Sequence, residues 1–270
     1  MLFVLSPAKR LDLSDHANAG LATAPRLASE AATLARSARQ LSGADLKRMM
    51  GLSDDLARLN RERFKAFDLE AETGAPAVLT FAGDVYQGLQ ARTLDRAGLA
   101  WAQDHLRILS GLYGVLRPLD GIQPYRLEMG VRMHTRRGET LYDFWGDRIA
   151  KLLKADLAGQ VEPMVVNLAS EEYFGAVDRK ALKAPVIDVR FEEEKDGQRK
   201  VLSFFAKQAR GTMARWAIDQ RIERASDLKA FNGAGYRIDA VRSTDQALVF
   251  WRPQPEPVAI QRAKAKAAAG

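Results

Sequence analysis

The chain has 270 residues, of which 47% are hydrophobic and 28% charged, so it can bury the core of one large domain or two small ones. It carries 41 lysines and arginines against 34 acids, a formal net charge of +7 that favours polyanionic partners without requiring one. Cysteine is absent, which excludes disulfides, thiolate-bound zinc, cysteine nucleophiles and thiol redox switches.

Apolar runs and helix-forming stretches follow one another irregularly. In the first part of the chain we predict a strand at 2–6, a helix at 26–40, two short helices within 44–66, and a strand running into a glycine turn at 77–86. A helix and a strand at 95–109 and an ordered loop at 110–130 follow, and the loop leads into a strand at 126–133. In the last part we predict a helix at 140–158, strands at 163–170, 185–194 and 199–206, a helix at 205–225 and a strand at 247–251. The Asp196-Gly197 pair is the strongest signal for a hairpin turn.

This order of elements predicts an α+β fold with an irregular mixed α/β architecture, because strands and helices do not alternate as they do in a doubly wound sheet. We expect residues 1–252 to form a single domain. Residues 253–270 change to a Pro-rich and then Ala/Lys-rich composition, and we predict a disordered basic tail there.

Residues 46–64, LKRMMGLSDDLARLNRERF, suggest a helix-hairpin-helix. In that motif the backbone amides of a tight turn grip a phosphate, and the sharp bend requires a glycine. The residues concerned would be Gly51, Leu52 and Ser53 in the turn, with Arg61 and Arg63 further along the second helix.

An ordinary helical corner is the alternative for the same segment. Asp54 and Asp55 lie where a phosphate would approach, and Ser53 followed by acids is how many helices begin. The residues alone leave both interpretations open.

Polar residues at predicted strand ends and turns are further candidates for a site. They are Lys9, Asp84, Tyr86, Arg126, Glu128, Asn167, Ser170, Lys207 and Arg210. Each also has a structural explanation, such as a solvated loop lysine, an Arg126–Glu128 pair on one face of a strand, or Ser170 as a helix N-cap.

The helix predicted at 205–225 carries a cluster of basic residues within one quadrant of its surface. The members are Lys207, Arg210, Arg221 and Arg224. Such a face can follow phosphates, or it can simply be solvated.

The three histidines, His16, His105 and His134, are far apart in sequence, so we expect no metal site. The common nucleotide, metalloprotease and hydrolase motifs are absent, and we expect no cofactor. The N-terminus does not have the pattern of a signal peptide, and no apolar run approaches the roughly 20 residues that cross a bilayer. We therefore expect a cytoplasmic monomer without a membrane partner.

Several motifs occur together in the order and spacing of one protein family. They are SPAK (6–9), FAGDVYQGL (81–89), HLRILSGLYGVLRPLDGIQPYRLEMG (105–130), LYDFWG (141–146), NLASEEYF (167–174) and KQARGTMARW (207–216). Over residues 1–251 the chain resembles the YaaA family of bacterial proteins. The resemblance implies a mixed α/β fold with a helix-hairpin-helix and a basic cleft, DNA binding, and a role in hydrogen peroxide resistance that limits iron damage. It places the hairpin at residues 46–64 and implies no reaction.

The first hypothesis is a DNA-binding protein of the oxidative stress response, with largely sequence-independent contacts to duplex, distorted or single-stranded DNA. The turn amides would hold one phosphate. A positive cleft would be lined by Lys9, Arg126, Lys207 and Arg210. Stacking on unpaired bases would involve Tyr86, Tyr113 and Tyr125.

The second hypothesis is an enzyme that acts on a small phosphorylated or carboxylated substrate in a pocket around Lys9, Arg126 and Arg210. A small closed pocket favours this hypothesis, and a long open groove favours DNA. Enzyme activity stays open on the residues alone. A third idea, iron held by carboxylates, has no histidine partners and would use Asp84, Glu128, Glu171 and Glu172.

Overall fold

Twelve strands and eleven α-helices are described in a computed structural model covering residues 1–14, 21–68, 70 and 74–256. The strands are β1 (Leu2–Leu5), β2 (Arg10–Leu11), β3 (Ala75–Pro76), β4 (Phe81–Ala82), β5 (Leu106–Ser110), β6 (Gly114–Leu116), β7 (Gly121–Ile122), β8 (Val165–Leu168), β9 (Val186–Lys195), β10 (Gln198–Lys200), β11 (Arg237–Ile238) and β12 (Ala247–Pro253). The helices are α1 (Ala28–Arg39), α2 (Gly43–Met50), α3 (Asp54–Ala66), α4 (Ala77–Thr80), α5 (Asp84–Leu89), α6 (Arg96–His105), α7 (Leu141–Trp145), α8 (Arg148–Leu157), α9 (Glu171–Phe174), α10 (Arg179–Leu182) and α11 (Ser203–Gln220). The predicted tail beyond residue 256 and His16 lie outside the described residues.

The main sheet has eight strands in the order β11-β12-β9-β8-β1-β5-β6, with β10 paired to the end of β9. Its five central strands are parallel, and β6, β10 and β11 are antiparallel. The chain passes from β1 to β5 on one side and later returns through β8 on the other side. In open sheets of this kind, a crevice forms at the carboxyl ends of the two strands where the order reverses.

The predicted α+β class is confirmed by this mixed sheet with its surrounding helices. The apolar run of β1 is buried on both faces, as its lack of alternation suggests. The predicted hairpin is also confirmed, since Asp196 and Gly197 both have positive φ, at 53° and 72°, as a two-residue turn requires.

The predicted strand at 126–133 is wrong. Tyr125, Leu127, Met129, Val131 and Met133 are all buried, which produces the two-residue period of a strand. Yet this segment pairs with none of the strands in the described part of the chain, and its backbone is irregular. Alternating burial alone therefore produced the pattern of a strand.

Three further predictions need correction at glycines and helix ends. The helix predicted at 140–158 is two helices, α7 and α8, broken at Gly146 with φ of 49°. Residues 77–86 contain the short helix α4 before β4. The strand predicted at 199–206 ends at Lys200, and α11 begins at Ser203.

The predicted basic quadrant at 205–225 is also wrong in part. Helix α11 ends at Gln220, and Arg221 adopts the left-handed conformation with φ of 53°. Arg221 and Arg224 therefore lie beyond the helix, roughly 15–25 Å along its axis from Lys207 and Arg210 at a rise of about 1.5 Å per residue. Lys207 and Arg210 remain together on one basic face.

Asp156 on α8 connects three separate parts of the fold. It accepts hydrogen bonds from Arg26 and from Arg107 of β5, whose Nε lies 2.6 Å away. Burial by itself would raise the pKa of Asp156, but the bond from Arg26 and the charge of Arg107 outweigh it and lower that pKa. The charged carboxylate therefore stabilises the folded state.

We expect Asp156→Asn to lower the free energy of unfolding at neutral pH by about 2 kcal/mol, because it removes a charge that two guanidiniums bind. An unperturbed aspartate titrates near about 4. The extra free energy of unfolding of the wild type over Asp156→Asn should be complete above that pH. It should shrink as the pH falls through the lowered pKa of Asp156 in the folded state. Urea denaturation between neutral and acid pH tests this. Asp104→Asn, at an exposed position, should show no such difference.

Candidate functional site

A crevice of about 420 Å³ lies at the carboxyl ends of β1 and β8. Its walls are the loop after β1, the first turn of α5, the start of α9 and the N-terminal half of α11. The polar side chains that line it are Ser6, Lys9, Arg10, Asp84, Tyr86, Gln87, Ser170, Glu172, Tyr173, Lys207 and Arg210. This is the position at which the strand order reverses, where ligands of open sheets bind.

Hydrogen bonds fasten the two strand ends to each other. The Ser170 amide donates to Ser6 Oγ at 2.9 Å, and the two hydroxyl oxygens lie 3.3 Å apart. Tyr86 donates its hydroxyl proton to the Ser6 carbonyl at 3.2 Å. Burial raises the pKa of Tyr86, so its phenol stays protonated. The floor of the crevice is therefore held by neutral polar groups.

Two glycines bring the crevice walls together. A Cβ on Gly211 of α11 would lie 1.7 Å from the Val85 carbonyl oxygen, and one on Gly88 of α5 would lie 2.1 Å from the Gln208 carbonyl oxygen. Only glycine permits such close contact between helix backbones. The contact holds Asp84 of α5 and Arg210 of α11 in the lining of the same crevice.

Arg210 is the most unusual group in the crevice. Burial lowers the pKa of Arg210, the charge of Glu171 opposes this effect, and the buried Nε has no hydrogen-bond partner. Across the part of the chain that the structure describes, no ion pair joins Arg210 or Lys207 to a carboxylate. Arg210 is partly buried and makes no ion pair with the described residues, so its guanidinium has donors available for an anionic ligand.

A second cavity of about 1020 Å³ adjoins the crevice and shares Arg210 with it. It lies beside β9, which pairs with β8 only as far as Asp188 and with β10 only from Glu193. Within the described sheet, residues 189–192 have no strand partner on that side. The two cavities together form a longer depression with Arg210 between them.

Most cations around the second cavity are already paired. Arg179 and Asn167 both donate to Asp188, and Arg190 and Arg242 both bind Glu192, which is 1% exposed. The predicted residue Asn167 therefore lies here and orders a neighbouring carboxylate. Among the described cations that line the second cavity, Arg210 is therefore the one whose guanidinium N–H groups are not taken up by an ion pair. It lies at the boundary between the second cavity and the crevice.

Comparison with known proteins identifies the family. A family model described as peroxide stress protein YaaA matches residues 1–242. A UPF0246 protein of Phenylobacterium zucineum is 60% identical over 264 residues, which cover 98% of this chain and 99% of the relative. A UPF0246 protein of Caulobacter vibrioides is 58% identical over 255 residues, covering 94% and 100%, and one of Maricaulis maris is 56% identical over 255 residues, covering 94% and 97%. The chain belongs to the YaaA family.

In this YaaA-family protein the predicted cleft residues are divided between two environments. Glu128, which is 8% exposed, binds Lys9 at 3.0 Å and Arg126 at 2.9 Å. Lys9 still reaches the crevice, where its side chain is largely exposed. Arg126 does not line either cavity. One carboxylate thus offsets part of the charge of two predicted cations.

The predicted stacking residues of the YaaA-family protein are mostly core residues. Tyr113 and Tyr125 are each 4% exposed and pack edge to face, and Tyr125 shares a 2.6 Å hydrogen bond with Ser110. They present no free ring face for a base. Tyr86 is also buried but does contribute to the crevice wall.

The hairpin segment of the YaaA-family protein forms α2 and α3, as predicted. Gly51 ends α2 with φ of 60°, and the amides of Gly51 and Leu52 both donate to the Lys47 carbonyl. Ser53 caps α3 by accepting from the Leu56 amide. The turn therefore uses two of its three candidate amides within the protein.

Charges on the hairpin also pair locally. Lys47 binds Asp54 at 2.8 Å and Arg58 binds Asp55 at 2.8 Å. Arg61 is exposed, and burial lowers the pKa of Arg63. No lining residue of either cavity comes from this hairpin. Any phosphate contact of the hairpin is separate from the crevice.

Gly51→Ala should lower the free energy of unfolding by about 1 kcal/mol, because alanine is strained at positive φ. A Cβ there would meet nothing within 4 Å, so strain is the only expected cost. Urea denaturation measures the effect. Gly43→Ala, in the first turn of α2 with equally open surroundings and no positive φ, is the control. Equal stability of the two variants would contradict the prediction.

Several crevice residues were not selected from the sequence. Ser6 and Tyr173 belong to the quoted motifs SPAK and NLASEEYF, but nothing in the sequence says that their strands are neighbours. Among the described residues, no group of three or more potential metal ligands was found, and no helix is long and apolar enough to cross a membrane.

Proposed function

We propose that this protein binds DNA through phosphate contacts in the depression formed by the crevice and the second cavity. Arg210 carries the proposal, because it is a largely buried guanidinium with an unpartnered Nε at the boundary of both cavities. A guanidinium presents several donors in a plane that matches phosphate oxygens.

The charge of the crevice supports an anionic ligand. Four cations, Lys9, Arg10, Lys207 and Arg210, line it, against the two carboxylates Asp84 and Glu172. The Glu172 carboxylate already accepts from the Gly130 amide at 3.0 Å. The surplus of positive charge suits a phosphodiester chain and predicts binding that is largely independent of sequence.

An exposed ring near Lys207 favours a strand with unpaired bases. Phe204 lies three residues before Lys207 on α11 and is 52% exposed. An aromatic face beside a basic groove can stack with a base, a contact worth about 1–3 kcal/mol. Phe204, which lines neither cavity, would then take the stacking role that the sequence suggested for tyrosines.

The hairpin and the loop cations would add contacts outside the crevice. Gly51, Leu52 and Ser53 would lie near a phosphate with Arg61 and Arg63 beside them, as the family resemblance implies. The exposed first turn of α3 leaves helix amides for this contact. The two aspartates at this turn make it the weaker of the two phosphate sites.

The link to peroxide resistance follows from the family and from composition. The chain has no cysteine, so it does not remove or sense peroxide through a thiol. Covering DNA, or limiting the iron that damages it, would then be the protective action. Both belong to the proposal.

Salt dependence tests the proposal. For duplex, bubble and single-stranded DNA, we expect the logarithm of the affinity to fall linearly with the logarithm of the salt concentration. The slope should be about 0.9 in magnitude for each duplex phosphate that the protein neutralises, and about 0.7 for each single-strand phosphate. Fluorescence anisotropy at several salt concentrations measures the slope. If the protein bound none of the three DNAs at low salt, the proposal of DNA binding would be contradicted.

The small size of the crevice favours a second candidate function. Its volume of about 420 Å³ is typical of sites for small molecules. An enzyme acting on a small phosphorylated or carboxylated substrate would use Arg210 and Lys207 to bind the anion, and Asp84 would be the carboxylate beside it. Thermal stabilisation by mononucleotides or sugar phosphates, lost in Arg210→Ala, would favour this candidate if DNA binding fails.

A further inference from the structure

We propose that the crevice accepts one unpaired nucleotide extruded from a DNA strand, with its phosphate on Arg210 and Lys207 and its base inside. This inference rests on the proposed function, because it assumes that the protein binds DNA. It adds a ligand for the crevice that phosphate tracking does not require.

The size of the crevice is the first support. The crevice is too small for a duplex but falls in the range of roughly 300–1,000 Å³ that holds single small molecules. Proteins that examine a base inside a pocket must first take it out of the stack. A DNA-binding protein with a small crevice beside its phosphate site therefore fits a flipped nucleotide.

The position of Arg210 is the second support. It contributes to the crevice and to the second cavity, so a phosphate bound there has room on both sides. The flanking strand would continue past β9, where residues 189–192 have no partner on that side in the described sheet. The DNA strand would thus pass along the second cavity and enter the crevice at Arg210.

The lining of the crevice is the third support. Asp84 lies at the start of α5, and its side chain makes no hydrogen bond or ion pair with another described residue in the structure. A carboxylate can accept from the exocyclic amine of adenine or cytosine, or from the N3–H of thymine, but a thymine methylated at N3 offers it no donor. Ser170 and Gln87 add hydroxyl and amide groups to the same space.

The test compares duplexes that differ at one position. A duplex with a single bulged adenine should bind about tenfold more tightly than the fully paired duplex, because the unpairing cost of a few kcal/mol is already met. A bulge that carries an abasic analogue should lose this gain. Equal affinity for the base-bearing and abasic bulges would overturn the inference while leaving phosphate binding intact.

Variants locate the effect in the crevice. Gln87 is an exposed helix position on the crevice wall, so Gln87→Trp should fold and fill the space. We expect it to bind the bulge no more tightly than the paired duplex. Gln220→Trp, exposed at the far end of α11, is the control and should keep the gain. A retained gain in Gln87→Trp would also overturn the inference.

Asp84 gives a base-specific readout. Wild type should prefer bulged adenine or cytosine over bulged N3-methylthymine, which has no donor, by roughly fivefold or more, and Asp84→Ala should remove the preference. Thermal melting confirms that each variant is folded. If the wild-type protein bound none of these DNAs, the proposed function itself would be contradicted.

Discussion

Gly211→Ala is expected to lower the free energy of unfolding by about 3 kcal/mol or more, since the added methyl group has no space. Its Cβ would lie 1.7 Å from the Val85 carbonyl oxygen, so a helix backbone must move rather than a side chain. For a domain of this size, the melting temperature should fall by roughly 6–12 °C.

The control for this prediction is Gly159→Ala. A Cβ at Gly159 meets nothing within 4 Å, and its φ is not in the left-handed region, so stability should change little. If Gly211→Ala melted within about 1 °C of wild type, the close α5–α11 contact would be contradicted. The same separation of helices would also move Asp84 away from Arg210, so DNA binding should weaken alongside stability.

The double variant Lys207→Glu/Arg210→Glu should bind DNA about a hundredfold more weakly at low salt. Two cations are removed and two anions are placed at the proposed phosphate position, which repel the strand. The slope of affinity against salt should fall by about 2 in magnitude. Anisotropy titrations at two salt concentrations measure both effects.

A matched control is available on the same part of the chain. Arg221 and Arg224 are both exposed and lie past the far end of α11. Arg221→Glu/Arg224→Glu changes the net charge by the same amount, so a general electrostatic effect would weaken binding equally. If the crevice binds the strand, the control should retain most of the affinity. Equal losses of DNA affinity in the two double variants would show that the position of the substituted charges does not matter.

The sequence predicted most elements of the fold but not their arrangement. Periodicity located β1, β5, β8, β9, β12 and most helices, because local burial patterns determine them. The pairing of β1 with β8 depends on contacts more than 160 residues apart, and no local pattern records it. The parallel centre of the sheet was therefore not foreseen.

Sequence reasoning could group candidate residues only where they are close in the chain. Lys207 and Arg210 share a helix face and do meet at the crevice. Lys9 and Arg126 were both predicted to line a positive cleft, but only Lys9 reaches the crevice, and Glu128 binds both of them. The role of Gly211 was missed, since a glycine within a helix indicates only a local weakness until the opposing backbone is known.

Hydrogen–deuterium exchange with saturating single-stranded DNA tests the central claim most directly. If the crevice holds the strand, exchange should slow in residues 6–10, 83–87 and 203–211, which surround it, and change little in α6, which does not line it. Protection confined to regions away from these segments, with the crevice amides unchanged, would contradict the claim.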